Sequence, residues 1–134
     1  MNTADALELE PLVPALSVLA RAQRWLVAYS GGLDSTVLLH LLNRYCHAYP
    51  GSPALSAVHI NHGLQAQALV WERHCQQVCA GLDVPLLVRR VEVEPDGKGV
   101  EAAARDARYR ALESVLEPQD AVFFAHHQDD QLET

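Results

Sequence analysis

The sequence predicts an α/β fold, in which a parallel β-sheet carries helices on both faces. Short apolar runs alternate with longer segments whose apolar residues recur every three or four positions, and turn-forming stretches separate them. The chain has 134 residues, 49% of them hydrophobic, so it is long enough to bury one core. Alternation of strand and helix favours parallel strands joined by right-handed crossovers. Ligands of such sheets bind beyond the carboxyl ends of the strands.

The predicted strands are short apolar runs that end at turn residues. Residues 25–29 read WLVAY and lead directly into Ser30-Gly31-Gly32, which indicates a buried strand followed by a sharp turn. Three further runs share this form and lie at residues 54–60, 85–93 and 121–125. The polar segments after the first and last strands are therefore the places to look for function.

The predicted helices are amphipathic segments that lie between these strands. Helical spacing of apolar residues predicts helices over residues 12–22, 35–46, 66–80 and 100–116. Gly81 is expected to stop the helix over residues 66–80, because glycine is a poor helix former and is common at helix ends.

Composition excludes several classes of protein. Seventeen acidic residues against ten basic ones give a net charge of −7, which argues against a free-standing nucleic-acid-binding domain. The only lysine, Lys98, does not follow a glycine loop, so a Walker-type phosphate loop is excluded. No signal peptide or membrane-length apolar run is present, and three cysteines fit a reducing cytoplasm. We therefore expect a cytoplasmic domain with no membrane partner.

The strongest candidate site is the loop after the first strand. It comprises Ser30, Gly31, Gly32, Leu33, Asp34 and Ser35. Adjacent glycines let backbone N–H groups form an anion nest, and the following helix start favours a phosphate. The hydroxyls of Ser30, Ser35 and Thr36 would add donors. The alternative is an ordinary strand–turn–helix connection with an Asp or Ser N-cap.

A second candidate site lies in residues 126–134, which read HHQDDQLET. On a helix Asp130 and Glu133 share a face, and with His126 they make an imidazole–carboxylate cluster. Such a cluster suits Mg²⁺ or proton transfer, whereas zinc would require a more familiar ligand spacing. The alternative is a solvated acidic helix start.

Two further patterns are ambiguous from the residues alone. Glu101, Arg105 and Arg108 follow helical spacing, so they form either a solvated ion pair or a guanidinium site for an oxyanion. His59 and His62 bracket the end of the second strand, but no second pair at suitable spacing supports a zinc site.

Four segments together resemble a known family. Residues 30–42, 59–65, 101–109 and 126–134 read SGGLDSTVLLHLL, HINHGLQ, EAAARDARY and HHQDDQLET. The first is similar to the loop of the N-type ATP pyrophosphatases of the PP-loop superfamily, and the set resembles the tRNA(Ile)-lysidine synthases. The resemblance implies a Rossmann-like fold of the adenine nucleotide alpha hydrolase type. It also implies that residues 1–134 are one PP-loop ATP pyrophosphatase domain, truncated at its C-terminus inside the last motif.

The resemblance implies an activity as well. Family members use ATP and Mg²⁺ to join L-lysine to the wobble cytidine of a minor isoleucine tRNA with a CAU anticodon. The reaction passes through an adenylated cytidine, releases pyrophosphate and AMP, and leaves lysidine. The tRNA contacts are expected beyond this chain, and the 134-residue chain alone is expected to be inactive.

Roles for individual residues follow from the same resemblance. The loop Ser30–Ser35 would hold the pyrophosphate, and Asp34 with Asp130 or Glu133 would hold Mg²⁺. Arg105 or Arg108 would meet the α-phosphate, and His126 would take the proton of the lysine amine. The adenine would lie against His59 and Ile60, recognised by backbone groups of residues 58–60.

Two alternative functions remain open at this stage. A cytidine thiolase of the same superfamily would need a cysteine pair or an iron–sulfur cluster, but Cys75 and Cys79 fall on the predicted core face of a helix. A non-catalytic nucleotide-sensing domain would keep the glycine loop without needing His126, Asp130 or Glu133.

Overall fold

The computed structural model describes residues 9–63, 66–93 and 99–125. A short 3₁₀ turn, Glu10–Leu12, precedes the first α-helix. The helices are α1 (Val13–Leu19), α2 (Leu33–Ala48), α3 (Ala68–Leu82) and α4 (Val100–Val115). The strands are β1 (Arg24–Ala28), β2 (Ala54–Asn61), β3 (Leu86–Arg90) and β4 (Asp120–Phe124). The predicted fold class is confirmed, and the element boundaries differ from the predicted ones by at most three residues.

All four strands are parallel and lie in the order β3-β2-β1-β4. The chain moves outward from β1 through β2 to β3, and then crosses back to place β4 on the other side of β1. Strand order therefore reverses between β1 and β4. In open parallel sheets such a reversal opens a crevice at the carboxyl ends of the strands, where ligands bind.

Alternate residues of the sheet supply two separate cores. Trp25 and Val27 of β1 pack against α1, α2 and α3, and Trp25 is fully buried. Leu26 of β1 and Val58 of β2 pack on the opposite face against Leu112 of α4. Successive residues of a strand point to opposite faces, and both faces of β1 are buried. The sequence of β1 is therefore a continuous apolar run.

The end of α3 differs from the prediction at Gly81. Gly81 lies inside the helix, which continues to Leu82. Asp83 adopts the left-handed conformation (φ 59°), and Val84 N–H donates to the Cys79 carbonyl at 2.9 Å. With the bond from Asp83 N–H to the Ala80 carbonyl, this is a Schellman C-cap whose following apolar residue, Val84, is buried.

An ion pair ties β1 to β4 at the amino end of the sheet. Arg24 donates through Nη2 and Nε to both carboxylate oxygens of Asp120, at 2.7 and 3.3 Å. The Asp120 side chain is 1% exposed, and its bond with the guanidinium holds the pKa of its carboxyl below the usual value. This contact lies at the opposite end of the strands from the crevice.

None of the helices in the described part of the chain combines the length and the apolar character needed to cross a bilayer.

Candidate functional site

A cavity of about 300 Å³ opens at the carboxyl ends of the strands. The exits of β1, β2 and β4 and the helices α3 and α4 all contribute residues to its lining. Examples from these five elements, in the same order, are Ser30, His59, Phe124, Trp71 and Arg108. The cavity includes the reversal in strand order, where the fold class predicts a ligand.

In the loop after β1, backbone N–H groups donate hydrogen bonds to serine hydroxyl oxygens. Ser30 N–H and Gly31 N–H lie 3.2 and 3.3 Å from Ser35 Oγ, and Gly32 N–H lies 3.2 Å from Ser30 Oγ. The two hydroxyls also bond each other at 3.0 Å. Three successive N–H groups thus point at oxygen atoms within the loop, and successive N–H donors of this kind are the groups from which an anion nest is built.

Gly31 is required by packing against α3 as well as by the turn. Its φ is +89°, and a Cβ there would lie 2.8 Å from Cys75 Sγ and 3.0 Å from Trp71 Nε1. Trp71 Nε1 in turn donates to the Ser30 carbonyl at 2.6 Å. A side chain at Gly31 would therefore strain the backbone and push α3 away from the loop.

The start of α2 provides further donors and one carboxylate. Gly32 is the N-cap residue, so Leu33, Asp34 and Ser35 lie ahead of the first helical bond, from Thr36 N–H to the Gly32 carbonyl. Asp34 is exposed, lines the cavity and lies in the first turn rather than capping the helix.

Thr36 does not fill the role that we expected for its hydroxyl. It donates to the Gly32 carbonyl at 2.8 Å and accepts from the Tyr29 hydroxyl, 2.9 Å away. A hydroxyl has one proton to donate, so Thr36 has none left for a phosphate. Ser35 is 2% exposed and shapes the loop from within.

The exit of β2 forms the opposite wall of the cavity. His59 is buried, and its Nδ1 lies 3.0 Å from the Tyr29 carbonyl, so Nδ1 carries the proton and donates. His59, Ile60 and His62 all line the cavity. Burial, then the charge of Arg108 and then that of His59 lower the pKa of His62, which is therefore neutral at pH 7.

The structure distinguishes the two candidate arginines of α4. Arg108 is exposed and lines the cavity, beside Tyr109. Arg105 is partly buried and is not in the described lining of the cavity. Of the two, Arg108 is thus the guanidinium that faces this space.

A buried carboxylate that the sequence analysis missed lies beside this wall. Glu72 of α3 is 4% exposed, accepts from the side chain of Asn61 and pairs with Arg90. These bonds hold the pKa of Glu72 at about 2. An acidic residue at an apolar position of an amphipathic helix was the available signal, since a carboxylate is buried only when it is paired.

The second candidate motif lies outside the described residues. His126, Asp130 and Glu133 all fall in residues 126–134, so their roles remain predictions. Within the described ranges no group of three or more His, Cys, Asp or Glu side chains is arranged to hold a metal ion. Asp34 nevertheless fits Mg²⁺, which typically takes one or two carboxylates and completes its shell with phosphate oxygens and water.

The cysteines of α3 are core residues, as predicted. Cys75 and Cys79 are 0% and 1% exposed. Burial is the main cause that raises the pKa of the Cys75 thiol to about 12 and that of Cys79 to about 11. Neither thiol is a reactive or cluster-binding group in this environment.

Comparisons with known proteins agree with this geometry. A model of the PP-loop domain family matches residues 2–134. The tRNA(Ile)-lysidine synthase of Pseudomonas putida is 56% identical over 113 residues, which cover 84% of this chain and 26% of that protein. The corresponding enzyme of Pseudomonas aeruginosa is 52% identical over 123 residues, which cover 92% and 27%. The chain therefore spans about a quarter of the length of these curated relatives.

A solved structure supports the fold independently. The U34-tRNA thiolase NcsA from Methanococcus maripaludis, described with its [4Fe-4S] cluster, superposes with a TM-score of 0.71 at 20% identity. The superposition covers 91% of this chain and 44% of that one, and at this identity it speaks for the fold alone. The converging loop donors, the sheet order and the family match lead to one conclusion: the chain belongs to the PP-loop domain family.

Proposed function

We propose that this chain is the ATP-binding part of a tRNA(Ile)-lysidine synthase, which joins L-lysine to the wobble cytidine of isoleucine tRNA. The observation that carries the proposal is the convergence of the N–H groups of Ser30, Gly31 and Gly32 beside the cavity at the start of α2. The names of the relatives, at about half identity over most of the chain, supply the reaction.

In this proposal the cavity is divided between the two ends of ATP. The loop Ser30–Ser35 and the start of α2 receive the pyrophosphate, because three successive N–H groups, bonded here to serine hydroxyls, and the amino end of a helix lie together beside the cavity and favour an anion. Asp34, together with Asp130, would hold the Mg²⁺, which supplies neutralisation of phosphate charge. The adenine lies against the exit of β2, at residues 58–60.

The remaining roles concern the reacting atoms. Arg108 meets the α-phosphate, since it is the α4 arginine in the cavity lining. The O2 oxygen of cytidine forms a bond to the α-phosphorus as the bond to pyrophosphate breaks. The lysine amine then bonds to C2 as the C–O bond to AMP breaks. His126 would take the proton that the amine loses, and Glu133 would be the alternative to Asp130 as a carboxylate for Mg²⁺.

The buried thiols favour lysine ligation over the thiolase alternative. Sulfur transfer needs an accessible thiolate or a cluster, whereas Cys75 and Cys79 are sealed in the core with raised pKa values. The third cysteine, Cys46, lies on α2 with its Sγ 3.8 Å from the Pro53 carbonyl, away from the cavity lining.

The test gives the full-length protein isoleucine tRNA with a CAU anticodon, ATP, Mg²⁺ and labelled lysine. Asp34→Asn removes one charge from the site and should lower the rate of lysine incorporation about a hundredfold or more. Asp83→Asn is the matched control, because Asn tolerates the left-handed conformation of Asp83, and it should leave the rate unchanged. Full activity of Asp34→Asn would refute the proposed role, and incorporation of sulfur instead of lysine would favour the thiolase.

A further inference from the structure

Glu72 makes a network of hydrogen bonds at the carboxyl ends of β2 and β3. Its Oε1 accepts from Asn61 Nδ2 at 3.0 Å and from Arg90 Nε at 3.2 Å, and its Oε2 accepts from Arg90 Nη2 at 2.8 Å. Asn61 and Arg90 are direct neighbours across the two parallel strands. One carboxylate of α3 thus joins the ends of two strands.

The network fixes the amide of Asn61, and through it the turn that follows β2. With its Nδ2 bound to Glu72, Asn61 presents Oδ1 to Gly63 N–H at 2.9 Å. The Asn61 carbonyl accepts from Val91 N–H, also at 2.9 Å. The turn is therefore held from three directions, and His62 lies within it and lines the cavity.

We propose that Glu72 is a positioning residue for the base half of the nucleotide site. Through Asn61 it holds residues 59–62 in the shape that receives the adenosine part of ATP. The inference rests on the proposed function. It gives a role to Asn61 of the HINHG segment, which has no part in the reaction steps described above.

The contacts that organise the two halves of the cavity are different. The phosphate half depends on the hydroxyls of Ser30 and Ser35 and on the bond from Trp71 to the Ser30 carbonyl. The wall at the exit of β2 depends on Glu72. Loss of the Glu72 charge should therefore weaken binding of ligands that carry a base and spare ligands that carry phosphate alone.

A matched control exists at the far end of the sheet. The pair Arg24–Asp120 has the same bidentate form, and its carboxylate is equally buried, with a side chain 1% exposed against 5% for Glu72. It joins two parallel strands at their amino ends, remote from the cavity. Asp120→Asn should cost stability by the same mechanism without reaching the nucleotide.

The experiment measures the affinities of the full-length protein for ATP and for inorganic pyrophosphate by calorimetry. Glu72→Gln keeps the side-chain shape, and it should weaken ATP binding about tenfold, as expected for the loss of one charged hydrogen bond. Pyrophosphate affinity should stay within about twofold, and Asp120→Asn should change neither affinity. Arg90→Met, which alters an exposed side chain, is the second variant and should weaken ATP binding in the same direction.

Other results would decide against the inference or replace the deciding variant. Unchanged ATP affinity in both Glu72→Gln and Arg90→Met, or equal losses for ATP and pyrophosphate, would overturn the positioning role. An equal loss of ATP affinity in Asp120→Asn would show that the effect of Glu72→Gln arises from reduced stability and not from positioning. If Glu72→Gln does not fold, Arg90→Met decides by the same criteria. Absence of ATP binding by the unaltered protein would instead refute the proposed function, and the inference with it.

Discussion

Gly31 shows how one residue serves both the loop and the core. Its positive φ is needed for the turn, and the space where a side chain would lie is taken by Cys75 and Trp71 of α3. In the sequence alone, this glycine indicates a turn at which a phosphate comes close to the backbone. The packing against α3 adds a second reason that concerns stability.

Gly31→Ala should therefore destabilise the protein by more than the conformational cost alone. We expect a loss of about 2–4 kcal/mol, which combines the left-handed strain with overpacking. Gly51→Ala is the control, since Gly51 has φ +96° but nothing within 4 Å of an added Cβ, and it should cost about 1 kcal/mol. Denaturant unfolding measures both values, and equal losses would show that contact with α3 is unimportant.

Glu72 should make stability depend on pH in the acidic range. Its pKa is about 2 in the folded protein, against an ordinary value of 4.5. The unfolded chain therefore takes up the proton first as the pH falls, and the stabilisation that is complete above pH 4.5 is lost toward pH 2. Thermal unfolding between these pH values should show a smaller decline for Glu72→Gln than for the unaltered protein. Parallel declines would contradict the assignment.

Residues were predictable where they follow a local pattern and unpredictable where they depend on partners from other elements. The glycine loop and the core cysteines are examples of the first kind. Glu72 is an example of the second, because nothing near it in the sequence shows that Asn61 and Arg90 lie beside it. Thr36 is another, since its hydroxyl is hydrogen-bonded to Tyr29 and Gly32, which both lie between β1 and α2.

At the scale of elements, α3 contacts the carboxyl ends of three neighbouring strands, β1, β2 and β3. Its adjacent residues Trp71 and Glu72 reach the loop after β1 and the ends of β2 and β3, respectively. The apolar spacing predicts this helix but ends it at residue 80, whereas the helix continues to Leu82. A glycine is a strong local stop signal, whereas the actual C-cap depends on the burial of Val84 by the tertiary fold.

Gly81→Ala should stabilise the protein, because Gly81 lies within α3 and an added Cβ there meets nothing within 4 Å. Alanine is favoured over glycine in a helix by up to about 1 kcal/mol, and near the helix end we expect about 0.5 kcal/mol. Asp83→Ala should have the opposite sign, since Asp83 is the residue with φ 59°. Denaturant midpoints measure both changes. Destabilisation by Gly81→Ala would indicate that Gly81 ends the helix, as the sequence predicts, rather than lying within it.

At the scale of the whole molecule, the strand order brings together segments that are far apart in the sequence. The loop after β1, the exit of β2 and the exit of β4 meet at one edge because β4 crosses back beside β1. Alternating strands and helices predicted that a crevice exists at the carboxyl ends. They did not predict that β1 lies between β2 and β4, because strand order depends on how the helices pack on the two faces of the sheet.

The net negative charge of the chain predicts weak binding to nucleic acid. A chain with 17 acidic and 10 basic residues carries −7 at neutral pH, and nucleic-acid affinity arises largely from basic groups that displace counterions. At about 0.15 M salt the screening length is about 8 Å, so binding requires basic groups clustered close to the phosphates, and the most basic stretch, residues 89–110, holds six basic residues but also five acidic ones. We expect the 134-residue chain, once circular dichroism verifies its helices, to bind isoleucine tRNA with a Kd above about 0.1 mM in filter binding.

The full-length protein, measured in parallel, should bind the same tRNA tightly under the proposed function. Micromolar binding by the short chain would place tRNA contacts within residues 1–134, and the cavity edge around Arg108 would then be the first surface to mutate.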